Sequence, residues 1–474
     1  MGQGPCPAQP GPGSLIPAPP LHIRSFLNAT WAARRGAAPT PETLTLLWSS
    51  VISIFGLGGI LGCLCSQSLV ERFGKKKCLL FNNLFMLGAS GVLAGSKMAA
   101  SFEMALAGRL LIGFSSGVSL IIHPIYAGEI APRSLRGFTN ASVGIFVTLG
   151  KVFGQVLGLR ELLGTESLWP CLLGCTGVTA LLQLVTLPFF PESPRYLLME
   201  KGDQEACWKA VQQLWGPGDH KAEVEDMRKE QAGLTGLGPR GPLQLLRDHS
   251  LRRPVSISFI LGIAMQFSGI NAIYFYASEV LQQAGFSEWL IPYVSMGIGI
   301  CDVFSSVLCT FIIEQFSRRG LLLTSYFQMT FHEPPPGPPP GLTLVSWMAL
   351  CSAILLFLFI FFFSAGAAGT SMCVIMELFD QATRPAAMLI MGMLLWGGNF
   401  LLAVLFPLLV ATLGSFCFLV FSSILMGTWI FIYLFLPETR GRSIADIAAA
   451  FVQCSSCLLT LLYPPKCSEQ QSAP

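Results

Sequence analysis

The sequence predicts an all-α, polytopic membrane protein. Of its 474 residues, 52% are hydrophobic and only 12% charged, and the mean hydropathy is +0.61. Repeated apolar runs of about 20 residues are each long enough to cross a hydrocarbon core of about 30 Å as a helix. A soluble domain carries about twice that charged fraction. The 29 Lys and Arg against 26 Asp and Glu leave a net charge of +3. That balance excludes nucleic acid as a partner, because a binder must neutralise phosphates. The expected partner is a lipid bilayer.

Along the chain, residues 1–43 read as a Pro-rich start and an extracellular loop. Residues 1–20 hold seven prolines, which argue against a helix and against the apolar region of a signal peptide. Spans are expected at 44–70, 78–96, 102–126, 138–159 and 168–190. The last is stopped by Pro188, Pro191 and Pro194. Residues 44–190 then form a first helical bundle. Residues 191–253 carry helix-spaced charges around a Gly-Pro-Gly interruption at 216–218, as a cytoplasmic helical linker would. A second bundle at 254–436 has spans near 254–282, 290–313, 344–375, 384–413 and 416–436. It contains a Pro-rich interruption at 332–341 and is followed by a cytoplasmic tail at 437–474.

Lys and Arg orient the bundle, since short cytoplasmic loops retain positive charge. Arg72 with Lys75 to Lys77, Arg133 with Arg136, the linker, Arg318 with Arg319, and Arg440 with Arg442 fall on one side if spans alternate. That side is cytoplasmic. Asn28-Ala29-Thr30 lies opposite, where an N-glycosylation acceptor is usable. Arg24, Arg34 and Arg35 also lie there, against the charge rule.

Cys63, Cys65, Cys171, Cys175, Cys301, Cys309 and Cys373 sit in apolar runs and read as free, buried thiols. Neither Cys63 with Cys65 nor Cys454 with Cys457 has a histidine or acidic cluster beside it, so no metal and no cofactor is expected. No nucleophile, base and orienter group together, so an enzyme is excluded.

Gln266, Ser268 and Asn271 interrupt an apolar run. An unbroken helix would place Gln266 and Asn271 about 140° apart. Amides inside a membrane face a bundle interior or a wet cavity, and uncharged amides suit a solute whose hydroxyls both donate and accept. The alternative is interhelical bonding, worth about 0.6 kcal/mol per contact. Lys151 and Asp302 are charges within spans and should face the cavity. Lys151 either attracts an anionic substrate such as urate or pairs locally.

The two halves echo each other. "ERFGKK" at 71–76 matches "EQFSRR" at 314–319, and "PESPR" at 191–195 matches "PETRGR" at 437–442. Duplicated halves mark transporters built from repeats. With "GRLLIG" at 108–113, "YAGEIAPRSLRG" at 126–137, "QFSGINAIYFY" at 266–276 and "ELFDQATRPAA" at 377–387, the chain resembles the facilitative hexose transporters, sugar porters of the major facilitator superfamily.

The resemblance implies two pseudo-symmetric helical bundles around a central cavity, most plausibly in the plasma membrane. The function it implies is uniport of a hexose, fructose or glucose, by alternating access. It makes Gln155, Gln266, Asn271, Trp396 and Asn399 hexose contacts, with Tyr276 near the outer gate and Met372 in place of a stacking tryptophan. It also implies a cytoplasmic gate. Arg72, Arg109, Glu129, Arg136 and Glu192 of the first half would act with Glu314, Arg318, Arg319, Glu377, Arg384, Glu438 and Arg442 of the second. Their ion pairs lock the halves while the transporter faces outward and part when the inside opens. The plainer reading makes these residues topology anchors, but the positive-inside rule does not require the acidic ones.

Departures from the pattern point to the fructose- and urate-handling class II branch. They are Met265 for a glutamine, Gly144 for a glutamine, Leu395 for an asparagine, and Gly366, Ala368 and Gly369 where prolines are usual. The family plan also begins with a span ahead of a segment resembling "LIPAPPLHIRSFLNATW" at 15–31, and it has a full ninth span where only "GLLLTSYFQMTF" at 320–331 precedes the prolines. The chain thus reads as lacking the first helix and part of the ninth. Two alternatives follow: a truncated or splice-variant porter fold without transport, and a urate-type anion transporter. The sequence sets no oligomeric state.

Overall fold

A computed structural model describes residues 18–132, 136–199, 201–216, 218–234, 241–276, 281–282, 286–287, 289–332, 346–380, 383–442, 446–447 and 449–451. Its helices in the first half are α1 Ala18–Arg35, α2 Pro41–Phe73, α3 Lys75–Gly95, α4 Phe102–Ile130, α5 Arg136–Leu157, α6 Trp169–Gly174 and α7 Thr176–Thr186. The connecting segment holds α8 Pro194–Met199, α9 Gln204–Trp215, α10 Lys221–Leu234 and α11 Pro242–Arg247. The second half holds α12 Arg252–Gln266, α13 Ile270–Phe275, α14 Ile291–Gln315, α15 Arg318–Phe331, α16 Ser346–Phe362, α17 Gly369–Leu378, α18 Arg384–Leu413 and α19 Cys417–Phe435. Among the described residues, nine helical stretches are long and apolar enough to cross a membrane. The outward faces carry exposed Phe146, Phe153, Leu182, Phe304, Phe311 and Leu408, the surface that acyl chains solvate.

Three expectations about elements are corrected. Residues 18–35 form a helix rather than a loop. Its first turn holds Pro19 and Pro20, whose missing N–H groups have no intrahelical acceptor at that position anyway. The run through Gln266 is broken between α12 and α13, where Gly269 has φ 92°, a left-handed conformation that suits glycine. Cys65 and Cys171 are exposed rather than buried, although both are free. The helix α15 has 14 residues, about 21 Å at 1.5 Å per residue. The proline stretch that follows it, Cys454 with Cys457, and the tail beyond 451 lie outside the described residues.

In the first half α2 and α4 touch backbone to backbone. A Cβ on Gly62 would lie 2.1 Å from the Phe114 carbonyl oxygen, and one on Gly117 would lie 2.2 Å from that of Gly59. Small residues give membrane helices this close approach, and dispersion then holds them together. The second half packs α12, α14, α15, α17 and α18 around Leu261, Ile298, Tyr326, Val374 and Ile390. Between α16 and α17 the helix widens into a π turn over Phe363–Ala368. Glycine and alanine there let α15 approach, so that a Cβ on Gly366 would collide with Ser325.

The halves meet along two seams. On one, α2 lies against α18: a Cβ on Gly56 would sit 2.9 Å from the backbone N of Phe400, and one on Gly59 would strike the Trp396 indole. On the other, α5 lies against α14, with Gln155 over Gly299. At the end of the bundle that carries α1, Leu27, Trp48, Val51 and Ile52 pack with Tyr276, Leu402, Phe406 and Phe418 in one buried cluster drawn from both halves.

Candidate functional site

Gln155 and Trp396 lie in these seams, while Gln266 and Asn271 lie where α12 and α13 pack within the second half. Broken at Gly269, the chain turns Asn271 back so that its Nδ2 donates to Gln266 Oε1 at 2.7 Å. The angle expected of an unbroken helix does not apply. Gln266 is 6% exposed and lies against Gly398 of α18, one residue before Asn399. Ser268 turns away, donating to the Met265 carbonyl at 3.2 Å. Trp396 packs with Cys63, Ile121 and Leu389 across the α2–α18 seam, its ring edge-on to Phe55 at 5.2 Å. Among the described residues, Gln155 Oε1 and Asn399 Oδ1 are buried without a hydrogen-bond partner, and buried acceptors are costly to leave unmet. Tyr276 donates its hydroxyl to the Ala403 carbonyl at 2.9 Å and packs on Phe406 at 4.9 Å, within the cluster at the α1 end of the bundle. Met372 packs against the core of the second half.

The charged residues form two matching networks, one in each half. In the first, Lys75 bonds both oxygens of Glu129, at 2.7 and 2.8 Å. Ser193 donates to the same carboxylate at 2.5 Å. Glu192 accepts the backbone N–H of Lys76, at the start of α3, at 3.0 Å. In the second half, Arg318 pairs with Glu377 at 3.3 Å, and Thr439 donates to Glu377 at 2.5 Å. Glu438 accepts the N–H of Arg318 at 2.9 Å and of Arg319 at 3.2 Å, at the start of α15. A carboxylate here meets the positive end of a helix dipole and its unpaired N–H groups.

Burial pushes the Glu438 carboxyl up, but hydrogen bonds from the Arg440 backbone, the Ser317 side chain and the Arg318 and Arg319 backbones outweigh it. They hold the group below the ordinary carboxylate range. This is the physical content of the repeated strings: a glutamate closing each half caps the helix that starts within that half's copy of the string, α3 or α15. The described ion pairs of the networks, Lys75 with Glu129 and Arg318 with Glu377, tie helix ends within a half.

Arg109 is a correction. It lies on α4 seven residues after Phe102, about 30 Å along the helix from Glu129 at 1.5 Å per residue, so it belongs to the opposite end of the bundle from the two charged networks. Its Nε donates to the Val51 carbonyl at 3.2 Å, and its guanidinium lies 5.0 Å from the Phe55 ring centroid. Together with Ile23, Trp48 and Trp169 it lines a small cavity of about 110 Å³. Arg72 and Arg442 are exposed, as is Glu314, whose carbonyl accepts from Arg440. Arg384 donates to the Phe379 carbonyl at 3.1 Å. The side chain of Arg136 lies outside the described residues. Asn28 is exposed on α1.

Ser193 and Thr439 were not singled out in the sequence, and Lys75 was read only as an orienting charge. The register of the repeats contains the signal for Lys75, since "ERFGKK" laid on "EQFSRR" puts it over Arg318. The arginines of α1, expected on the side that the charge rule disfavours, are held locally. Arg24 lies over Trp48 at 5.1 Å and Arg35 over Trp31 at 4.3 Å, while Arg34 pairs with Glu103.

Residues 17–451 match the family described as "Sugar (and other) transporter". The chain is 42% identical over 441 residues to the solute carrier family 2, facilitated glucose transporter member 11 of Homo sapiens, covering 92% of this chain and 88% of that protein. It is 38% identical over 444 residues to member 9 of Mus musculus, covering 93% and 82%. It is 37% identical over 463 residues to member 5 of Rattus norvegicus, covering 96% and 90%. The structure superimposes on the xylose transporter XylE from E. coli in a partially occluded inward open conformation. The TM-score is 0.70 at 20% identity, covering 90% of this chain and 95% of that one, a likeness that carries the fold alone. With the repeat, the helical architecture and this match over nearly the whole chain, the protein belongs to the family of sugar transporters with the major facilitator fold.

Proposed function

We propose that this chain moves a hexose, fructose or glucose, down its gradient across the plasma membrane by alternating access. The observation that carries the reading is the uncharged polar set Gln155, Gln266, Asn271, Trp396 and Asn399, placed on both halves of a duplicated fold. A hexose offers hydroxyls that donate and accept at once, so neutral amides and an indole can satisfy it without the desolvation cost of a charge. Because α5 and α18 belong to different halves, a solute touching Gln155 and Asn399 would be bound by both, as rocking of one half against the other requires.

The cycle needs no covalent step. The extracellular cluster around Tyr276 and Phe406 closes one end, and the carboxylate-capped helix ends keep each half rigid while the halves rock. Flux is set by reorientation, and net movement follows the gradient because bound solute is offered to either side. Met372 and Leu395, where amide and indole groups are usual, leave a site with fewer polar contacts, which supports fructose over glucose. The relatives named facilitated glucose transporters agree with a hexose.

The test is counterflow of radiolabelled fructose and glucose in vesicles containing the purified chain and no ion gradient. Trans-stimulated fructose uptake is the expected result. Vesicles that contain folded protein but exchange neither sugar would overturn the reading.

A further inference from the structure

Lys151 and Asp302 are joined across the α5–α14 seam, Nζ to Oδ2 at 3.0 Å. Asp302 is 2% exposed and eleven residues from the outer end of α14, about 16 Å into the membrane by helix rise. Tyr274 donates to the same Oδ2 at 2.8 Å, and Ser364, presented by the π turn, donates to Oδ1. The Lys151 ammonium also lies 4.6 Å from the Tyr274 ring centroid.

The pair is next to the polar set. Lys151 and Gln155 are one turn apart on α5 and share a face. Gln155 rests on Gly299, three residues before Asp302 on α14. Tyr274 follows Asn271 by three residues on α13.

We propose that Asp302 is a specificity-determining residue: by cancelling the charge of Lys151 beside the solute-binding amides, it makes the passage select neutral solutes over small organic anions. This inference rests on the hexose-transport reading. A lone lysine half-exposed at this depth would attract an anion strongly, because a low-dielectric surround screens little. Paired with a carboxylate saturated by three donors, it presents a dipole instead, and an anion gains little by approaching. Hydroxylated neutral solutes lose nothing.

The test compares uptake of urate, a planar monoanion at neutral pH, with uptake of fructose in vesicles. Asp302→Asn keeps one oxygen to accept from Tyr274 or Ser364 and places an amide N–H against the other hydroxyl, which can accept it, while freeing the lysine charge. The urate-to-fructose ratio is expected to rise at least about tenfold, the order of one unscreened charge at low dielectric. In the double variant Lys151→Met/Asp302→Asn the ratio should return to that of the wild type.

A ratio unmoved by Asp302→Asn, or raised equally in the double variant, overturns the inference and leaves hexose transport standing. Wild type without fructose uptake overturns both. Asp302→Ser, which also removes the charge and keeps a hydroxyl, gives the same readout if Asp302→Asn does not reach the membrane.

Discussion

At the scale of single residues, two amides and one carboxylate have measurable consequences. Asn271 donates to Gln266, so Asn271→Ala removes a side chain from the proposed site and leaves Gln266 Oε1 without its donor. One neutral hydrogen bond is worth about 0.5–1.5 kcal/mol, so the apparent fructose affinity should fall about 3- to 10-fold with expression maintained, as read by competition in the counterflow assay. An unchanged affinity would assign the amide pair to helix packing.

Glu438 makes a prediction about pH. Its carboxyl is held below the ordinary range by backbone N–H donors that outweigh burial. It therefore contributes stability that is present above the unfolded value of about 4.3 and is lost as pH falls through the lower folded value. Thermal unfolding in detergent should show midpoints that decline on acidification below that value. Glu438→Gln should lower the midpoint at neutral pH and flatten the acid decline. Parallel declines in the two proteins would mean that other carboxylates carry the effect.

At the scale of elements, the α2–α4 contact decides whether the first half forms. A Cβ on Gly62 would meet the Phe114 carbonyl oxygen at 2.1 Å, and backbone cannot move aside as a flexible side chain can. Overpacking of this kind costs about 1–3 kcal/mol, so Gly62→Ala should lower the unfolding midpoint clearly. Gly88→Ala on α3 is the control, because nothing lies within 4 Å of its added methyl. It should be neutral or slightly stabilising, since alanine favours the helix. Equal behaviour of the two would remove the close-contact account. The same scale explains the interruption at Gly269: a left-handed residue ends α12 and starts α13, and discontinuous helices of this type present backbone and side chains to a midplane site.

At the scale of the whole molecule, the arginines of α1 and the matched networks lie at opposite ends of the bundle, and the expectation that the networks face the cytoplasm can be tested. Asn28 is exposed on α1, on the face opposite the linker. In cells, a glycosidase-sensitive mass shift should be present in the wild type and absent in Asn28→Gln. A chain reaching the surface without that shift would call the orientation into question. The repeat has a mechanical meaning here. Lys75 with Glu129 and Arg318 with Glu377 each brace one half, so the halves can rock as units while the seams and the cluster around Tyr276 rearrange.

The sequence by itself determined the apolar spans and the duplicated plan, and it set the expectations about orientation and about an uncharged site. Each follows from local hydropathy, charge or a repeated string. Tertiary structure alone decided which groups meet. Arg109 resembles its cytoplasmic counterparts in composition, but helix length carries it to the other side, because position along α4 and not residue type sets depth. Lys151 and Asp302 are 151 residues apart in the chain, and nothing local to either says that α5 and α14 bring them within a hydrogen bond. A buried charge in a membrane must find its opposite, and only the packing of the two halves specifies where that opposite lies.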